Sequence, residues 1–232
     1  MSHAPTSLLD QPLSHLDELW FQVTGTLCNL TCHHCFISCS PHNDSFGFLS
    51  FEQVRQALAE AVQLGVQEYY LTGGEPFLHR AMVSILAETL RFGPATVLTN
   101  GTLFTGSAAR KQQWLPRLAE AESAGPYRLE FRVSIDGFSP ETNVPVRGEG
   151  TVRRAMDVVR ELVAHGFLPI ITAARTWPLE QDAAVTGRFV EMLRSQGYSR
   201  PRLKILPTLH LGAESERSRP YAADERISPE LL

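Results

Sequence analysis

Apolar positions along this chain recur in two alternating rhythms. Short runs rich in aromatic and β-branched residues read as strands: "WFQVTGT" (20–26), "QEYYLTGG" (67–74), "ATVLTNG" (95–101), "YRLEFRVSIDG" (127–137), "FLPIITAA" (167–174) and "RLKILP" (202–207). Longer stretches between them place apolar residues three and four apart, the helical period. Residues 49–65 open with Ser50 and Gln53 in capping-box spacing, carry Val54, Leu58, Ala61 and Leu64 on one stripe, and stop at Gly65. Residues 79–93 place Met82, Leu86 and Leu90 on one face and end at Gly93-Pro94. A less regular helical stretch covers 107–123. Residues 151–166 turn Val152, Ala155, Val159 and Leu162 inward and stop at Gly166, and 181–197 form the last helix. Pro169 marks the start of the fifth strand as an irregular or end position.

Six strand–helix units in succession ask for parallel strands joined by right-handed crossovers. The expected class is α/β: a doubly wound sheet or a partial barrel, with a partial (β/α)6 TIM-like barrel the preferred form. The units span residues 19–207, between an N-terminal extension (1–18) and a polar tail (208–232). Both architectures keep their chemistry at the C-terminal ends of the strands. The cysteine-rich segment, "TGGEP", "TNGT", "SIDG" and "AARTWP" all fall there and should converge.

Composition narrows the partners. The 21 Lys and Arg against 25 Asp and Glu leave a net charge of −4, without the basic excess of a nucleic-acid binder. The opening twenty residues are polar, broken by Pro5 and Pro12, and no apolar run approaches the ~18 residues of a membrane span. A cytoplasmic protein with neither a nucleic-acid nor a membrane partner is expected.

All four cysteines lie between Cys28 and Cys39. So close a set cannot staple distant parts of the domain, and metal or cluster ligation is the better hypothesis. Cys28, Cys32 and Cys35 in C-x3-C-x2-C spacing can hold three irons of a cubane cluster and leave the fourth open. With Cys39 the same segment can make a four-thiolate zinc site or a fully ligated cluster. The cysteines alone leave these readings open, and His33 or His34 as a zinc ligand is the weaker variant.

The motif "CNLTCHHC", followed after the second strand by "GGEP" at Gly73, Gly74, Glu75 and Pro76, resembles the radical S-adenosylmethionine (SAM) superfamily over about Phe21 to Pro207. The resemblance implies a [4Fe-4S] cluster on Cys28, Cys32 and Cys35, with Cys39 left out, and SAM on the open iron. It further implies reductive cleavage to a 5′-deoxyadenosyl radical that takes hydrogen from a substrate, with flavodoxin or ferredoxin as electron donor. The protein would orient SAM and keep the radical from water and dioxygen. The rival from another class is a non-catalytic iron–sulfur or zinc scaffold using the loop structurally.

Each candidate site residue has a use beside a plainer role. Gly73 and Gly74 would let backbone approach the ligand, while the Glu75 carboxylate or nearby carbonyls accept from the methionine ammonium; the plainer role is a tight turn with an acid at a helix start. His34, with Phe36 as second choice, would pack the adenine, or either ring packs under the loop. Ser134 and Asp136 share a strand face and suit sugar hydroxyls and the methionine moiety, or form an Asx turn; Thr99 and Asn100 divide the same way. Arg147, before a helix start, either meets the SAM carboxylate, as a matching arginine does in some relatives, or is solvated surface. Lys204, Arg175 and Trp177 are within range of a substrate.

The stretch from Val133 to Met156 is most similar to members that modify peptides or proteins and to those of tetrapyrrole and quinone-cofactor maturation, so a peptide or cofactor precursor is the expected substrate class. Many such relatives carry further cysteines for auxiliary clusters, whereas none follows Cys39. The tail has no apolar stripe able to cover the sixth strand. An open sheet edge and a tail mobile after about Gly212 are therefore expected.

Overall fold

Six parallel strands pair in the order in which they occur, β1-β2-β3-β4-β5-β6, in a computed structural model that describes residues 14–104 and 108–222. They are β1 (Glu18–Gln22), β2 (Glu68–Thr72), β3 (Ala95–Thr99), β4 (Leu129–Ser134), β5 (Ile170–Ala174) and β6 (Arg202–Leu206). The connecting helices are α1 (Phe51–Gln63), α2 (Met82–Thr89), α3 (Ala108–Ala124), α4 (Pro140–Arg147), α5 (Thr151–Ala164) and α6 (Asp182–Ser195). β1 and β6 are opposite edges and do not pair, so the sheet is an open barrel, as the repeated units implied. The start of the 107–123 helical stretch, most of the N-terminal extension and the end of the tail lie outside the described residues.

One face of the sheet makes the core. Leu71, Val97, Phe131, Val133 and Ile171 alternate along their strands and pack with Leu58, Leu86, Val159 and Phe189 of the helices. Fully burying such a side chain stabilises by about 1.5–3 kcal/mol, so the helices are held chiefly by this face. The inner face alternates with it: Glu130, Arg132 and Ser134 on β4 and Ile170, Thr172 and Ala174 on β5 are only half-buried. Parallel register sets Ser134 beside Thr172 and Thr172 beside Lys204.

The α1 start is as its sequence implies. The Gln53 N–H donates to Ser50 Oγ at 3.1 Å, and the Ser50 N–H to Gln53 Oε1 at 2.8 Å. Leu64 differs: it caps the helix and is exposed rather than on the core stripe. β1 ends at Gln22 because Gly25, at φ +53°, turns back and donates its N–H to the Gln22 carbonyl at 3.1 Å. α2 is shorter than its apolar pattern, since Pro76 starts a 3-10 turn (Pro76–Leu78) ahead of it.

Two elements were not foreseen. α4 occupies residues to which the pattern assigned no element; Pro140 is at its first turn, and the Ser139 N–H donates to the Thr142 hydroxyl at 3.1 Å. Its internal Pro145 and its eight residues hide it from a periodicity search. The tail, expected to be mobile after about Gly212, forms a 3-10 turn over Gly212–Glu216 that lies on the cysteine loop. The Ala213 N–H donates to the Cys35 carbonyl at 3.0 Å, and a Cβ at Gly212 would meet the Phe36 carbonyl oxygen at 2.4 Å. Backbone bonding of this kind requires no apolar stripe.

Candidate functional site

The cysteine loop follows β1 and is closed by its own backbone. The Cys28 N–H donates to the Ser40 carbonyl at 3.1 Å, Ser40 N–H to Thr26 at 3.3 Å, and Thr26 Oγ1 to Asn43 Oδ1 at 3.1 Å. At its tip Cys35 N–H donates to Cys32 at 3.2 Å and Ser38 N–H to Cys35 at 3.0 Å, while His33 N–H reaches the Val146 carbonyl of α4 at 3.0 Å.

Each of the three motif sulfurs faces an N–H donor from a different place. Asn100 Nδ2 lies 3.7 Å from Cys28 Sγ, Arg147 Nη1 3.8 Å from Cys32 Sγ, and the Cys39 backbone N 3.2 Å from Cys35 Sγ. Burial pushes the Cys28 thiol up to about 12 and raises Cys32 as well, with the Arg147 charge opposing the rise at Cys32. The Cys39 thiol hydrogen bond brings Cys35 down to about 6 against its burial, and giving that bond, together with burial, raises Cys39. Cys39 is buried, and its backbone N–H donates to Cys35 Sγ. Among the described residues no three His, Cys, Asp or Glu side chains are gathered tightly enough to hold a single metal ion. Three thiols with separate N–H partners suit the sulfur-rich, net-negative periphery of an iron–sulfur cluster, whose thiolates are stabilised by such donors.

Asp136 is the hub behind the loop. It is 1% exposed and accepts from Arg147 Nε, from the Ala174 N–H at 2.6 Å and from His34 Nε2 at 3.1 Å. Burial opposes its charge, but Arg147, His34 and the Ala174 N–H outweigh that and hold it down to about 2. Arg147 is therefore not solvated surface: its side chain is 11% exposed and it ends α4, where the helix dipole favours a cation. The unforeseen helix is what brings it inward. Asn143, unsuspected from the sequence, fixes the turn: its Oδ1 accepts from the Asp136 and Gly137 N–H groups at 2.9 and 3.1 Å, and its Nδ2 donates to Thr151 Oγ1 at 2.8 Å.

"GGEP" is packed onto the same loop. A Cβ on Gly74 would fall 2.0 Å from the Leu27 carbonyl oxygen, and one on Gly73, at φ +135°, 2.3 Å from Thr24 Oγ1. The chain itself occupies the space that a Cβ at either glycine would need. The Glu75 carboxylate is fully buried and accepts from Thr99 Oγ1 at 2.7 Å, the Asn100 N–H at 2.8 Å and the Phe77 N–H at 3.2 Å. It ties β2 to β3 and caps the turn begun by Pro76, the plainer of its two roles. Burial lifts it to about 7 despite these donors. Asn100 Nδ2 also donates to Asn29 Oδ1 at 2.8 Å, and Asn29 Nδ2 to Thr102 Oγ1 at 2.8 Å, so Asn29 is a further positioning residue.

The remaining candidates separate. His34 is nearly buried against Asp136, whereas Phe36 is 51% exposed at the loop tip. Ser134 is half-buried on the inner face below Asp136, outside the hydrogen-bonded hub. Arg175 is held by Asp182 through Nε at 3.0 Å and Nη2 at 2.8 Å, and Trp177 Nε1 donates to Asp182 at 2.7 Å, which assigns both to the start of α6. Lys204 stands exposed on β6.

A family model described as the radical SAM superfamily matches residues 23–179. The chain belongs to this superfamily. It is similar to the GTP 3′,8-cyclase of Syntrophomonas wolfei subsp. wolfei, with 29% identity over 167 residues, 70% of this chain and 47% of that protein. It is also similar to the mycofactocin maturase MftC of Mycobacterium tuberculosis, with 28% identity over 192 residues, 80% of this chain and 44% of that one. The chain thus spans under half the length of these curated relatives. Among solved structures, Streptococcus suis SuiB bound to precursor peptide SuiA superposes with a TM-score of 0.69 at 17% identity, covering 90% of this chain and 43% of that one. That likeness supports the α/β partial-barrel fold. Among the described residues no helix is long and apolar enough to cross a membrane.

Proposed function

We propose that the chain is the catalytic core of a radical SAM enzyme acting on a peptide or a cofactor precursor. The observation that carries this reading is the set of three motif thiols, each facing its own N–H donor, in a loop packed against "GGEP". Cys28, Cys32 and Cys35 would hold a [4Fe-4S] cluster, with Cys39 left as a donor to Cys35. When bound there, such a cluster would supply the one-electron reduction that cleaves SAM, the chemistry by which hydrogen would be taken from a substrate.

The residues of the chain have distinct tasks in that chemistry. Arg147 and Asn100 would offset negative charge at the sulfurs and hold the loop in place. Because the Glu75 carboxylate is enclosed, carbonyl oxygens near Gly73, Gly74 and Pro76 are the better partners for an ammonium group. His34, fixed by Asp136, and Phe36, exposed, would flank the adenine; Ser134, Thr99 and the Asp136–Arg147 pair would face the ribose and the methionine carboxylate. The substrate classes named for SuiB and for the maturase motivate a peptide or cofactor precursor here, and a flavodoxin or ferredoxin would supply the electron in the cytoplasm. Anaerobic reconstitution should load about four irons and four sulfides. Dithionite reduction with SAM should then release 5′-deoxyadenosine, measured by chromatography. Release no greater than from Cys28→Ala, or a Cys39→Ala variant as cluster-free as Cys32→Ala, would refute the assignment.

A further inference from the structure

Below the cysteine loop, the inner face carries Arg132, Arg202 and Lys204 beside Glu18, Glu68 and Glu130, yet among the described residues neither Arg132 nor Lys204 has a carboxylate within hydrogen-bond distance. Arg132, only 17% exposed, lies with its guanidinium over the Tyr70 ring at 5.1 Å, and Tyr70 in turn stacks on Trp20 at 4.3 Å. The ion pair of Arg132 with Glu130 is loose: Glu130 Oε1 is 3.7 Å from Nε, beyond hydrogen-bond distance, and Nε makes no hydrogen bond to any described residue. The other oxygen of Glu130 is held more closely, 2.7 Å from Arg202, whose Nη1 also donates to the Leu168 carbonyl at 3.1 Å. Lys204 has no ion pair among the described residues, and its register neighbour Thr172 has a buried Oγ1 without a partner. Glu18 and Glu68 lie toward the N-terminal ends of their strands, Glu68 accepting the Tyr70 hydroxyl at 2.9 Å.

An arginine so nearly buried ordinarily keeps its donors satisfied, because each donor left unpaired away from water costs free energy. Here stacking fixes the planar fork, the geometry that suits an oxyanion taken in bidentate fashion. Arg132 and Lys204 lie two strands and two residues apart, so their Cα atoms are on the order of 12 Å from each other, within the joint reach of two long side chains. Resting on the enzymatic reading above, we infer that this inner-face group of Arg132, Thr172 and Lys204 binds an oxyanion of the substrate, a carboxylate or a phosphate. The site sits on the strands beneath the loop, so it would hold a charged end of the substrate while the rest extends toward the loop. Thr172 turns its hydroxyl to the anion by rotation about χ1, the motion that also satisfies it.

The test is calorimetric titration of the cluster-loaded chain at low ionic strength with two probes, inorganic tripolyphosphate and acetyl-Glu-Glu-amide. The tighter probe identifies the source of the oxyanion. Lys204→Gln and Thr172→Val should each weaken that probe by about tenfold, in line with loss of one hydrogen bond to a charged group. Arg55→Gln, which removes an exposed cation of α1 paired with Glu52, should leave it unchanged. Thr172→Val should melt no lower than the parent, since it deletes an unpaired hydroxyl, which separates lost binding from lost folding. Failure of both probes to bind, equal binding by the parent and both inner-face variants, or an equal loss in Arg55→Gln would overturn the inference. Cleavage of SAM by the unaltered chain without substrate reports separately on the proposed function: cleavage without anion binding sinks only the inference, and anion binding without cleavage sinks only the enzyme.

Discussion

Replacing Arg147 by Met would leave the Asp136 carboxylate buried with only His34 and the Ala174 N–H as partners. Removing one member of a buried ion pair costs roughly 3–5 kcal/mol, because the surviving charge is stranded away from water. For a domain of this size each kcal/mol lowers the midpoint by about 2–4 °C, so the apoprotein should melt roughly 6–20 °C lower. Replacing both partners, Arg147→Met with Asp136→Leu, should cost much less than the two single changes together, since no charge is then stranded. The pair also has a pH signature. Asp136 is held at about 2 against an ordinary 3.8, so its contribution is present above about pH 4 and disappears as the pH falls through 2. That contribution is roughly 2 kcal/mol, smaller than the truncation cost because protonation neutralises the buried charge whereas truncation abandons it. Urea unfolding of the apoprotein and of the three variants measures all of this. A loss under about 1 kcal/mol in Arg147→Met, or additivity of the two single changes, would mean that the pair is neither buried nor coupled as described.

Glu75 titrates in the opposite sense. Its folded value is raised to about 7, so stability should be full near pH 4 and should fall by roughly 3 kcal/mol as the pH rises through 7; Glu75→Gln should flatten that slope in urea titrations of the apoprotein. Gly212→Ala would place a Cβ against the Cys35 and Phe36 backbone at φ +57°, so the Ala213 amide should exchange at least tenfold faster by hydrogen–deuterium exchange; an unchanged rate would show that the tail does not rest on the loop.

How much of this was legible depended on the range of the forces involved. The capping box at Ser50, the Val152–Leu162 stripe of α5 and the strand positions are local choices of backbone and burial, visible in a window of a dozen residues. Motif spacing likewise brought Cys28, Cys32, Cys35 and "GGEP" to one end of the strands, because parallel topology collects those ends. The role of Arg147 was not legible, since it depends on α4, whose Pro145 breaks the usual helical signal, and on Asp136 eleven positions earlier. Nor could spacing tell that Glu75 bonds inward to Thr99 and Asn100, or that the tail returns to Cys35 from Ala213.

By itself, then, the sequence determined the succession of strands and helices, the three-thiol loop and the end of the sheet where chemistry gathers, because each follows from hydrophobic period, turn residues or ligand spacing along a short piece of chain. Only the tertiary structure decided which polar groups are buried together: Asp136 with Arg147 and His34, Glu75 with Thr99, Asn100 with Cys28, and Arg132 over Tyr70. Those pairings join residues far apart in the chain, and their strength comes from the exclusion of water, which exists only once the sheet and its loops have closed around them.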